Sequence, residues 1–123
     1  MAERATVLFA HGARDPRWAR PFERLVEELK GLLPGERVAL AFLELMRPSL
    51  PDCVAALYAE GVRSVRVVPV FFGLGGHLRE DLPRIVAELQ AAHAGLAIAV
   101  DPPIGEQPAV TSAIARAVAQ GAR

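Results

Sequence analysis

Four apolar runs recur along the chain, separated by longer segments of mixed polarity. The runs occupy residues 5–10, 38–43, 65–72 and 96–100. Each is short and almost continuously hydrophobic, which is typical of a strand buried on both faces of a parallel sheet. The pattern therefore predicts four strands rather than half-exposed hairpins.

The segments between and after these runs repeat apolar residues at helical spacing. An aspartate or serine beside a proline marks the start of the first two helices, and glycine marks their ends. We predict helices from Asp15-Pro16 to Pro34-Gly35, from Pro48-Ser49 to Gly61, from about Arg79 to about His93 and from about Pro108 to Gln120. Residues 73–77 are predicted to form a glycine-rich turn before the third helix.

A strand followed by a helix, repeated four times, predicts an α/β fold with a parallel sheet and helices on both faces. Right-handed crossovers restrict such a sheet to a doubly wound arrangement, and 2-1-3-4 is the simplest strand order. No linker or low-complexity segment interrupts the pattern, so residues 1–123 are predicted to form one domain.

Composition narrows the class of protein. Hydrophobic residues make up 52% of the chain and charged residues 23%, which favours a packed core over disorder. The formal net charge of zero argues against nucleic acid as a partner. A single cysteine fits a cytoplasmic protein without disulfides. No apolar run approaches membrane-spanning length, so we expect no membrane association.

Polar residues follow the predicted strand ends where a doubly wound sheet binds its ligands. With order 2-1-3-4, the central strands are followed by His11 and His77, and Glu44 ends the neighbouring strand. Two imidazoles and a carboxylate suit a divalent ion such as Co²⁺, Fe²⁺, Ni²⁺ or Zn²⁺. They are also groups that accept protons near neutral pH.

Each of these residues also has a plain structural interpretation. A histidine after a strand is often a loop or cap residue, and Glu44 alone could be a solvated strand end. His93 is better explained by the dipole at a helix end. Cys53 is expected to be a small packing residue, and Trp18 is expected to pack in the core or against a helix rather than to stack on a ligand.

The loop Gly73-Leu74-Gly75-Gly76 allows two interpretations: a phosphate cradle, or a turn that lets a flat ligand approach the backbone. Its spacing matches neither a dinucleotide fingerprint nor a Walker loop. Four arginines also follow the strand ends, where they could bind carboxylates or simply be solvated. These are Arg14, Arg17, Arg47 and Arg79.

Three segments carry a family resemblance. They are LFAHGARDPRWARPFERL (residues 8–25), AFLELMRPSLPD (residues 41–52) and VPVFFGLGGHLREDLP (residues 68–83). In them the sequence resembles the short-form sirohydrochlorin cobaltochelatases of the CbiX type, within the class II chelatase superfamily. The chain departs from the family pattern at Ala13, where serine is common, and it lacks the histidine-rich tail of some relatives.

The resemblance implies an enzyme that inserts Co²⁺ into sirohydrochlorin during cobalamin biosynthesis. His11 and His77 would bind the metal and act in catalysis, and Glu44 matches the family's acidic position. The metal would be a substrate, with Fe²⁺ or Ni²⁺ as alternatives, and no organic cofactor is implied. The short form further implies a homodimer with the active cleft between subunits.

The tetrapyrrole would then meet a wider set of residues after the strand ends. Arginines would bind its peripheral carboxylates, and the glycine loop and apolar side chains would face the ring. The macrocycle-binding residues expected are Arg14, Arg47, Leu74, Gly75, Gly76 and Arg79, with Leu45, Met46 and Phe72 as further apolar contacts.

Other functions use the same residues. A ferrochelatase would make sirohaem from the same tetrapyrrole. A carrier would bind metal or tetrapyrrole without turnover, and a half-unit would act only as partner to another chelatase chain. A flavodoxin-like cofactor binder is disfavoured because no convincing phosphate site is present.

Overall fold

The computed structural model describes residues 3–122 and contains four strands and four α-helices. The strands are β1 (Arg4–Ala10), β2 (Arg37–Phe42), β3 (Ser64–Pro69) and β4 (Ala97–Val100). The helices are α1 (Arg20–Leu32), α2 (Leu50–Ala59), α3 (Gly76–Ala92) and α4 (Pro108–Gly121). Short 3₁₀ turns at Pro16–Ala19 and Ile104–Glu106 precede α1 and α4.

The four strands form one parallel sheet in the order β2-β1-β3-β4. Leu8 at the centre of β1 pairs with Leu40 on one side and Val68 on the other. The predicted strand order and the doubly wound α/β fold are thereby confirmed. The C-terminal ends of β1, β2 and β3 lie along one edge of the sheet.

One face of the sheet carries most of the core. Alternate residues of β1, among them Val7 and Phe9, point to this face and are almost completely buried. They pack against α2 and α3 through residues such as Val54 and Leu82. The larger apolar cluster therefore anchors the central strand whose end carries His11.

The opposite face is covered less completely. Leu8 and Val68 pack there with Val26 of α1. By contrast, α4 contains no buried residue. Helices do lie on both faces as predicted, but the last of them adds little to the core.

Three boundaries differ by three residues or more from the sequence-based prediction. Helix α1 begins at Arg20 rather than after Asp15, because Pro16–Ala19 form a 3₁₀ turn. The third helix begins at Gly76 rather than near Arg79, because Gly75 takes an extended backbone and accepts the first helical hydrogen bond from Arg79 N at 2.9 Å. Gly76 and His77 therefore belong to the first turn of α3. Strand β3 ends at Pro69 instead of reaching Phe72, since β1, its pairing partner, ends at the same level.

No helix among residues 3–122 has both the length and the hydrophobicity needed to cross a membrane.

Candidate active site

His11 and Glu44 form a pair at the edge where β1 and β2 end. Two backbone hydrogen bonds continue the pairing of the strands past their ends: Leu43 N donates to Ala10 O at 2.8 Å, and Glu44 N donates to His11 O at 3.1 Å. The side chains then meet, with His11 Nε2 3.2 Å from Glu44 Oε2. Both remain more than half exposed, at 58% and 55%, so a ligand can reach them.

Gly12 makes this close approach possible. Its φ of +98° is rarely adopted by residues with a side chain. A Cβ at this position would lie 1.8 Å from the carbonyl oxygen of Glu44. Any larger residue would push the two strand ends apart, so the His-Gly step of the sequence is a geometric requirement of the His11–Glu44 pair.

Aromatic side chains lie next to the His11–Glu44 pair. The ring centroid of Phe71 lies 6.0 Å from that of His11 and 5.9 Å from that of Phe9 in the core. Beyond it, Phe72 is 75% exposed, and Leu45 is 60% exposed on the Glu44 side. Exposed apolar side chains beside polar ligands are suited to a flat, largely apolar molecule. We predicted Leu45 and Phe72 from the sequence as apolar contacts but missed Phe71, which only the path of the chain after β3 brings beside His11.

His77 lies on the same edge of the sheet, exposed in the first turn of α3. Within residues 3–122, no group of three His, Cys, Asp or Glu side chains is close enough to hold a metal ion. The structure therefore brings together two of the three predicted ligands, His11 and Glu44. The participation of His77 stays a prediction.

The arginines predicted to bind carboxylates have different environments. Arg17 is engaged locally, with a 2.7 Å ion pair to Asp15 that lowers the pKa of this carboxyl group. Arg79 donates to Leu74 O at 3.4 Å and stays exposed beside the glycine loop. Arg14 is exposed after β1. Arg47 lines a shallow cleft against α1.

The glycine loop faces open space. A Cβ added at Gly73, Gly75 or Gly76 would meet no atom within 4 Å, apart from atoms of the residues next to it in the chain. Close packing within the protein therefore does not explain these three glycines. The loop does leave room for a ligand to approach its backbone, as the flat-ligand interpretation requires.

The residues that we predicted to be structural do pack as expected. Trp18 stacks near Phe22 with ring centroids 4.6 Å apart. His93 forms the C-terminal cap of α3 and lies against Tyr58, with centroids 4.7 Å apart. Cys53 is buried in the core under the sheet.

Cys53 should react very slowly with thiol reagents in the folded protein. Burial raises the pKa of its thiol from the ordinary 9.0 to about 11, which lowers the thiolate fraction at pH 8 by about 100-fold. We expect labelling by Ellman's reagent to be slow in buffer and fast in denaturant. Equal rates in both would show that Cys53 is accessible and contradict the described core.

Taken together, the sheet and its edge define a doubly wound α/β domain with an imidazole–carboxylate pair at the end of its central strand, beside arginines and exposed apolar side chains. The CbiX family model matches residues 5–121. The chain belongs to the CbiX family, which confirms the resemblance seen in its sequence.

Relatives of known sequence and structure agree with this assignment. The sirohydrochlorin cobaltochelatase of Methanopyrus kandleri is 33% identical over 82 residues, covering 67% of this chain and 57% of the relative. That of Methanococcus aeolicus is 29% identical over 86 residues, covering 70% of this chain and 60% of the relative. The chain thus spans about 60% of the length of these curated relatives.

Two solved structures share the fold. A CbiX protein from Marinobacter aquaeolei is 37% identical with a TM-score of 0.85, over 96% of each chain. The sirohydrochlorin chelatase SirB from Bacillus subtilis, in complex with cobalt, is 22% identical with a TM-score of 0.82. The match covers 98% of this chain and 51% of SirB.

Proposed function

We propose that this protein is a tetrapyrrole chelatase that inserts a divalent metal ion, Co²⁺ foremost, into sirohydrochlorin. The observation that carries the proposal is the His11–Glu44 pair, 3.2 Å apart at the ligand-binding edge of a CbiX-family fold. The names of the Methanopyrus and Methanococcus relatives support both the substrate and the metal. We further propose that it acts in the cytoplasm as a homodimer.

The reaction replaces two pyrrole N–H protons of the macrocycle by one dication, so the site has to present a metal and accept two protons. His11 in its neutral form offers a nitrogen ligand, and the Glu44 carboxylate offers an oxygen ligand or a proton acceptor. Both groups are exposed, which suits an ion that has to leave the protein. His77 supplies the second imidazole from the same edge of the sheet.

The macrocycle would lie over the apolar residues beside the pair. Phe72 and Leu45 would contact its face, and the open loop of Leu74, Gly75 and Gly76 would allow close approach. Sirohydrochlorin carries carboxylates around its edge. Arg14 and Arg79, both exposed after the strand ends, would bind them as ion pairs, and Arg47 would do so from the Glu44 side.

The proposal is tested by following the absorbance of sirohydrochlorin with purified protein and Co²⁺, Fe²⁺ or Ni²⁺. Faster insertion than in the protein-free solution, saturable in both substrates, is expected, with Co²⁺ fastest. Fe²⁺ as the preferred ion would instead favour the sirohaem reaction. Binding of metal or sirohydrochlorin without turnover would identify a carrier and refute the chelatase proposal.

Glu44→Gln should lower the insertion rate by about 10- to 100-fold. Glutamine keeps the shape and can still hydrogen-bond to His11, but it has neither the charge nor the basicity of the carboxylate. Glu60→Gln, a substitution of the same kind at the far end of α2, serves as the control and should keep the wild-type rate. An unchanged rate for Glu44→Gln would make Glu44 a structural residue only.

A further inference from the structure

The 3₁₀ turn Ile104–Glu106, which follows β4, lies against the aromatic segment beside the active site. In this turn, Gly105 N donates a hydrogen bond to Phe71 O at 2.8 Å. The same segment is also tied to the end of β1, because Val70 N donates to Phe9 O at 2.8 Å. The backbone that carries Phe71 is therefore held between the end of β1 and the turn after β4.

Gly105 approaches Phe72 too closely to carry a side chain. A Cβ added at Gly105 would lie 2.4 Å from Phe72 Cα, 2.8 Å from Phe72 Cδ1 and 2.9 Å from Phe71 O. The φ of Gly105 is not positive, so its backbone conformation alone would accept alanine. The contact with the Phe71–Phe72 backbone and with the Phe72 ring is therefore what requires glycine here.

The turn that carries Gly105 is anchored to the sheet. Pro103 before it is buried, and Ile104 packs against the apolar cluster between the sheet and α1. Asp101 N donates to Val67 O at 2.9 Å, which ties the start of the loop to β3. The turn therefore has little room to move away from a side chain at position 105.

Phe72 is the neighbour that can move. It is 75% exposed, and the next residue, Gly73, faces open space. Phe71, by contrast, packs against the core, with its ring centroid 5.9 Å from that of Phe9. A side chain at position 105 would therefore displace Phe72 more than Phe71.

We propose that Gly105 is a positioning residue for the tetrapyrrole, because its bare backbone holds the Phe72 side chain where it contacts the macrocycle. The inference rests on the proposed function, in which Phe72 contacts the face of the ring. Core packing does not fix a side chain as exposed as Phe72, so the contact with Gly105 has to do so. An aromatic side chain that is already in place loses less conformational entropy when a flat ligand binds.

The His11–Glu44 pair does not depend on this contact. Its geometry is set by the backbone hydrogen bonds after β1 and β2 and by the close approach at Gly12. Displacement of Phe72 should therefore weaken the binding of the tetrapyrrole and leave the binding of the metal unchanged. A general structural defect would weaken both.

The test compares the dissociation constants of Gly105→Ala and the wild type for metal-free sirohydrochlorin, by fluorescence titration, and for Co²⁺ alone, by calorimetry. We expect the Kd for sirohydrochlorin to rise about 10-fold and the Kd for Co²⁺ to change by less than about 2-fold. In the insertion assay, the KM for sirohydrochlorin should rise by the same factor with kcat nearly unchanged.

Gly35→Ala is the matched control. Gly35 lies in the exposed turn before β2, and an added Cβ would meet no atom within 4 Å. This variant should keep both wild-type dissociation constants. Circular dichroism shows whether each variant is folded.

A double-mutant cycle tests whether Gly105 acts through Phe72. Phe72→Ala removes an exposed ring and should itself raise the Kd for sirohydrochlorin about 10-fold. Adding Gly105→Ala to Phe72→Ala should then raise it by less than about 2-fold more, since the side chain through which Gly105 acts is gone. Effects that multiply would show that Gly105 acts independently of Phe72 and would overturn the inference.

Ile104→Ala alters the same contact without adding an atom next to Phe72. It loosens the anchor of the turn and should raise the Kd for sirohydrochlorin about 3-fold, which provides the test if Gly105→Ala does not fold. A wild-type Kd for a folded Gly105→Ala, or for a folded Ile104→Ala in its absence, would overturn the inference. In an active chelatase, that result would leave the proposed function intact. A wild type that does not bind sirohydrochlorin would refute both.

Discussion

Replacing His11 with alanine is expected to reduce the rate of metal insertion by about 100-fold or more while the protein stays folded. The imidazole is the proposed nitrogen ligand, and it belongs to the only close histidine–carboxylate pair that residues 3–122 contain. Its side chain is 58% exposed and contributes little to the core, so its removal should not unfold the protein. The measurement is the absorbance change of sirohydrochlorin with Co²⁺, at saturating protein.

His93→Ala is the matched control for His11→Ala, because it removes the same chemical group at the C-terminal end of α3, away from the site. There, His93 packs against Tyr58 and lies at the edge of the sheet opposite to the site. This variant should insert metal at the wild-type rate. If folded His11→Ala kept full activity, the assignment of the pair as the catalytic site would be wrong.

His77→Ala tests the role of His77, which the structure does not group with His11 and Glu44 as metal ligands. If His77 supplies the second metal ligand, its loss should be nearly as severe as that of His11, since the ion would keep only one imidazole. An active His77→Ala variant beside an inactive His11→Ala variant would restrict the site to His11 and Glu44.

Replacing Gly12 with alanine is expected to destabilise the protein by about 2–4 kcal/mol and to abolish activity. The added Cβ would lie 1.8 Å from the carbonyl oxygen of Glu44, and the φ of +98° is strained for alanine. Both atoms in this clash belong to the backbone just after β1 and β2, where hydrogen bonds from Glu44 N to His11 O and from Leu43 N to Ala10 O hold the two segments together. Relief therefore requires the strand ends to separate, which breaks the 3.2 Å contact of His11 with Glu44.

Gly31→Ala is the control for this substitution. Gly31 lies in α1 with no atom within 4 Å of an added Cβ, and alanine favours the helix over glycine. Thermal unfolding should show a lower Tm for Gly12→Ala and an equal or higher Tm for Gly31→Ala. A Gly12→Ala variant with wild-type Tm and activity would show that the backbone contact at Glu44 is dispensable.

The fold could be predicted from local patterns to an unusual extent, because parallel strands are buried on both faces and appear as uninterrupted apolar runs. The runs at 5–10 and 38–43 correspond closely to β1 and β2. The start of α3 was wrong by three residues. Glycines at 75 and 76 indicate a turn in the sequence, but Gly75 forms an extended cap and Gly76 already continues as helix.

The proximity of His11 and Glu44 could also be predicted, since strand order places the ends of β1 and β2 side by side whatever the intervening helix contains. The position of His77 could not. It depends on the path of the chain between the end of β3 at Pro69 and the start of α3. The periodicity of the sequence does not predict that path. The role of Phe71 was missed for the same reason.

By itself, the sequence determined the four strands, their order and the pair of polar residues at the central strand ends, because burial of apolar runs and right-handed crossovers leave few alternatives. Only the tertiary structure decided that Gly12 lies against Glu44, that Phe71 lies beside His11, and that α4 leaves Val118 exposed. These features depend on distances between segments far apart in the chain, and such distances arise only when the helices have packed.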